Sequence, residues 1–64
     1  MRDEQKSVER VAAIRAGLAG TDDLWYYRGM AEMRVKALTE DGEMFGLLPH
    51  EATELATLKT LLAA

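Results

Sequence analysis

Residues 24–48 read LWYYRGMAEMRVKALTEDGEMFGLL, and the fold turns on whether this stretch is mainly helix or closes into a hairpin. At 100° per residue, Leu24, Tyr27, Ala31, Val35 and Leu38 fall on one stripe. Tyr26, Met30, Met33 and Ala37 fill the neighbouring arc, so the apolar face is unusually broad. Across from it Arg28, Glu32 and Lys36 stand four residues apart and alternate in sign, a ladder that only a helix brings together. The spacing predicts a helix over about 22–39, then a turn at 39–43 and an apolar tail from Met44 to Leu48. The competing reading pairs Met33–Leu38 with Met44–Leu48 as strands, because Asp41-Gly42 between apolar runs is a hairpin signal. It would also extend the adjacent aromatics Trp25, Tyr26 and Tyr27 and make Gly29 a bulge. The helical reading instead carries Gly29 at a cost of about 1 kcal/mol relative to alanine.

Upstream, Thr21-Asp22-Asp23 is a helix start: a hydroxyl can cap free amides, and two carboxylates suit the positive end of the helix dipole. Before it, Val8, Val11, Ile14 and Leu18 form an amphipathic stripe over about 3–19, with Glu4, Lys6, Glu9 and Arg10 mostly away from it. Gly17 and Gly20 read as the residues that end this helix. Downstream, Pro49 suits a first helical turn, and Leu55, Leu58 and Leu62 make the stripe of a third helix over 49–63. Glu51 and Glu54 lie where that helix's dipole favours negative charge. The expected fold is an all-α, three-helix domain spanning 1–64, with α+β around an Asp41-Gly42 hairpin as the alternative.

Sixty-four residues can bury only roughly 60% of the unfolded surface, so the core must be thin. No cysteine is present, which removes disulfides as a staple, and one histidine without thiolates cannot close a structural zinc site. Self-association is the remaining means of support. With 48% hydrophobic and 30% charged residues the chain belongs to the folded class. Met1–Ser7 has no apolar run suited to a signal or a membrane span, so a cytoplasmic location is expected. The net charge of −3 is unevenly spread: residues 39–64 carry −4, with Lys59 their one base. A nucleic-acid binder needs a basic stripe to displace phosphate counterions, and none is visible.

Candidate chemistry is sparse. His50 and Glu54, one turn apart, supply two metal ligands where a catalytic zinc needs three. Glu40, Asp41 and Glu43 around Gly42 lack the alternation of a calcium loop and read as a solvated turn. Ser7 has neither a glycine-framed elbow nor a nearby histidine, and Asp22 and Asp23 are accounted for by capping. The five glycines match no phosphate-binding pattern. The sequence therefore predicts no catalytic, metal or cofactor residues, and no enzyme.

It points instead to a protein-binding module. Trp25, Tyr26, Met30, Met33, Phe45 and Leu47 exceed what three short helices can enclose, and aromatic and methionine side chains suit contact surfaces. The expected partner is a second copy or a different protein, with membrane and nucleic acid disfavoured. By analogy with other compact, cysteine-free proteins of bacteria and phages, a small dimeric regulator or inhibitor is expected, and five arginines to three lysines with abundant alanine and leucine fit a GC-rich bacterial or phage source. The alternatives are a small DNA-binding transcriptional regulator and a structural virion or assembly component.

Overall fold

The computed structural model describes residues 2–20 and 22–63, and it is all-α. Helix α1 spans Arg2–Ala19, α2 Leu24–Phe45 and α3 Pro49–Ala63, joined by short connectors. Each helix packs against the other two. Tyr27 at the start of α2 meets Gly17 near the end of α1, while Arg34 of α2 and Arg10 of α1 both reach Glu54 early in α3. The chain therefore runs up, down and up, as short helix connections favour.

The core is thin, as the length requires. Ile14, Ala31 and Leu58 form its fully buried centre, and Val11, Leu18, Val35, Leu61 and Leu62 pack half-buried around it. Leu38 is fully buried outside that cluster, farther along α2. The predicted α1 and α3 stripes and the first α2 stripe supply these residues except Leu61, which flanks the α3 stripe. Val8, assigned to the α1 stripe, is mostly exposed, and Ser7 is buried beside it.

The 39–48 segment differs from its expected turn. No strand occurs among the described residues, and α2 runs straight through Thr39-Glu40-Asp41-Gly42 to Phe45. A Cβ at Gly42 would lie 3.1 Å from Leu47 Cγ, so Gly42 serves to let Leu47 fold back onto the helix. The reversal falls at Gly46, at φ 81° and ψ 162°, a region open essentially to glycine, and its N–H donates to the Gly42 carbonyl at 3.1 Å. Asp-Gly is a turn signal only where no tertiary contact repays the helix for continuing.

The helix-start reading at α2 is also revised, whereas α3 begins at Pro49 with Glu51 in its first turn, as expected. Asp23 precedes α2 in the left-handed conformation, at φ 57°, and its side chain makes no capping bond. Its carbonyl receives the Tyr26 and Tyr27 amides instead. Thr21, the expected hydroxyl cap, lies outside the described residues. At α3 the Glu51 carboxylate accepts the Leu48 amide at 2.9 Å, the return half of a capping box. Gly17, read as a helix stop, lies inside α1 under the Tyr27 ring.

Gly29 carries no such duty, since nothing lies within 4 Å of a Cβ built there. Gly29→Ala is expected to raise the unfolding free energy by about 1 kcal/mol through helix propensity alone. Denaturant melts of the two proteins check this, and a loss of stability would show that the site is not open.

Candidate functional site

Two features stand apart from the apolar core. The first is an ion cluster one turn from it. Glu54, 1% exposed, accepts five hydrogen bonds: Ser7 Oγ at 2.7 Å, Arg10 Nη1 at 2.9 Å to each carboxylate oxygen, and Arg34 Nε and Nη2 at 2.6 and 3.2 Å. The donors come from α1 and α2 and the acceptor from α3, so one carboxylate ties all three helices. Among the described residues no buried side-chain polar atom lacks a partner. Burial pushes the Glu54 carboxyl up, but the bonds donated by Arg34, Ser7 and Arg10 outweigh it and hold the group down at about 2. The bond to Glu54 in turn raises the Arg34 guanidinium against a smaller opposing effect of burial.

Sequence reasoning assigned Glu54 to the helix dipole and set Arg10 away from the packed stripe. The structure turns both inward. A signal was present: Arg10, Arg34 and Glu54 each precede a buried apolar residue, Ile14, Leu38 and Leu58, by one helical turn of four residues. Each polar residue therefore extends its helix's core stripe.

This arrangement ties the three helices together through one carboxylate. A carboxyl held at about 2 is too weak a base to take the Ser7 proton near neutrality, although the hydroxyl is already bonded to it. Glu54 is likewise committed away from His50, and no group of three or more potential metal ligands occurs among the described residues. His50, Val8, Val11, Arg15 and Thr57 line an open groove of about 300 Å³ between α1 and α3, with Ser7 and Glu54 also at its wall.

The cluster has a pH signature. The folded chain binds the Glu54 proton less tightly than the unfolded chain does. Its contribution is therefore complete above the ordinary value of 4.5 and drains away as pH falls toward 2. The full shift corresponds to roughly 3 kcal/mol. Carboxyl-carbon NMR titration is expected to place Glu54 near 2, and a midpoint near 4.5 would contradict the cluster.

The second feature is the outer face of α2. Tyr26, Met30, Met33, Ala37, Glu40 and Met44 are spaced 4, 3, 4, 3, 4, the interval of a helix–helix seam. This row lies about a third of a turn round α2 from the core row of Tyr27, Ala31, Val35 and Leu38. Met33 is 75% exposed and Met44 72%, Tyr26 and Ala37 are exposed, and Met30 is half-buried. Trp25, 78% exposed, stands edge-on to Tyr26 with ring centroids 6.2 Å apart, and Tyr26 meets Tyr27 the same way at 5.3 Å. The aromatic series thus runs from the solvent-facing Trp25 to the α1–α2 contact.

Of the six residues singled out in the sequence, Trp25, Tyr26, Met30 and Met33 come together along the first half of this face. Phe45 is 80% exposed at the helix end, and Leu47 turns aside onto Gly42. Ala37 and Met44 belong to the row and were not among the six. No known family, curated protein or solved structure matches the chain. Among the described residues no helix is long and apolar enough to cross a membrane.

Proposed function

We propose that the chain is a protein-binding module, a small regulator or inhibitor of bacterial or phage origin acting in the cytoplasm, and that the outer face of α2 is its docking surface. The observation that carries this is the row of exposed Tyr26, Met33, Ala37 and Met44 with half-buried Met30, beside the exposed Trp25. The accessible surface supports it: 4702 Å² is about 600 Å² more than the ~4,100 Å² of a typical folded monomer of 7.1 kDa. A standard interface covers roughly 800 Å² on each partner, so the surplus is of the size a modest contact removes. Exposed apolar patches on soluble proteins mark contact surfaces, and a row at seam spacing suits a helical one.

A photo-reactive amino acid at position 33, expressed in the host cell, tests this reading. Irradiation is expected to join position 33 to protein, while the same probe at the exposed Ala13 of α1 gives little adduct. Equal labelling from both positions, or none from 33, would overturn the assignment.

A further inference from the structure

We infer that the occupant of the α2 outer face is a second copy of this chain, paired antiparallel about a two-fold axis near Val35. The inference rests on the docking role proposed above and adds the identity and direction of the partner.

The row runs from Tyr26 to Met44, and its midpoint is residue 35. Antiparallel pairing about that point sets Tyr26 against Met44 of the other copy, Met33 against Ala37, and Met30 against Glu40. The central layer then joins a long side chain to a short one on each side, which lets two helices approach closely.

Charge decides the direction. Glu40 is the row's one ionised member, and Asp41 and Glu43 adjoin it, so residues 37–45 carry three carboxylates and no base. Residues 24–36 carry Arg28 and Lys36 against Glu32, apart from Arg34, which is committed to Glu54. Parallel pairing would press Glu40 against its counterpart inside the seam and bring six carboxylates to one end. Antiparallel pairing moves the two Glu40 residues roughly 15 Å apart along the axis at 1.5 Å per residue. That exceeds the screening length of about 8 Å at physiological ionic strength. It also opposes the helix dipoles. Lys36 flanks the seam near its midpoint, so antiparallel pairing brings it near its counterpart; both are exposed and can turn into water, whereas parallel pairing would set Glu40 against Glu40 inside the seam.

The absence of native cysteine makes the test direct. Wild type is expected to sediment as a species of twice 7.1 kDa that dissociates on dilution. Met33→Asp is expected to weaken association at least about tenfold while keeping the helical circular dichroism. Under oxidation, Tyr26→Cys mixed with Met44→Cys is expected to give a disulfide-linked pair, whereas Tyr26→Cys alone gives none. Cross-linking of Tyr26→Cys to itself would overturn the antiparallel arrangement. Wild type that remains a 7.1 kDa monomer up to about 500 µM would overturn the second copy as partner. In that case a protein adduct from position 33 leaves the docking role standing, and its absence removes both.

Discussion

Glu54→Ala is expected to remove about 3 kcal/mol of stability, the largest loss among the substitutions considered for this chain. The carboxylate accepts all five bonds of the ion cluster, and its removal leaves the Arg10 and Arg34 guanidiniums side by side without a counter-charge. Breaking a buried pair by deleting one partner costs about 3–5 kcal/mol. The arginine side chains keep 33% and 28% exposure and can turn toward water, so a loss of about 3 kcal/mol is appropriate. A domain of this length has a total stability of roughly 3–10 kcal/mol, so that loss is between about a third and the whole of it. Replacing Ser7, Arg10, Arg34 and Glu54 together by Ala, Met, Met and Leu is expected to restore a melting temperature at or above that of the wild type, because apolar packing avoids the desolvation of the ions and leaves no buried hydroxyl without a partner. Thermal melts followed at 222 nm check both results. A Glu54→Ala protein as stable as the wild type would show that the cluster is not closed.

Gly17→Ala is expected to destabilise the fold by about 1–2 kcal/mol, opposite in sign to Gly29→Ala although both glycines are helical. A methyl group at Gly17 would overlap the Tyr27 ring, including Cγ at its root. Ring rotation cannot relieve that overlap, so α1 and α2 would have to separate. The overpacking cost of about 1–3 kcal/mol outweighs the gain of about 1 kcal/mol in helix propensity. Larger side chains cost more, and Gly17→Val is expected to approach the loss for Glu54→Ala. The double-mutant cycle isolates the cause: in a Tyr27→Ala background Gly17→Ala is expected to become stabilising. An unchanged cost in that background would place the strain elsewhere.

The comparison of these positions shows what the sequence exposes and what it conceals. Three helices were legible because Ile14, Leu38 and Leu58 anchor stripes of helical period, and period survives without knowledge of neighbours. The surplus of apolar residues on α2 was legible for the same reason, as a face too broad for one contact. What escaped depends on another part of the chain. Gly17 is a stop signal by type and a contact by its neighbour Tyr27. Gly42 is a turn by type and helical because Leu47 covers it. Glu54 looks like a dipole partner until Arg10 and Arg34 arrive from two other helices. An apolar stripe that continues through a charged residue is readable as a stripe, but its partners are set by the packing.

The proposed docking role requires α2 to divide its apolar side chains between two jobs, one row for the fold and one for a partner. The melting temperature measured across protein concentrations tests it most directly, because association stabilises by mass action. From about 1 µM to about 500 µM the wild type is expected to melt progressively higher, while Met33→Asp stays flat at the wild type's dilute limit. A Met33→Asp protein that melts about 4–8 °C or more below wild type at every concentration, the shift that a loss of about 1 kcal/mol produces, would place Met33 in the fold and contradict the division.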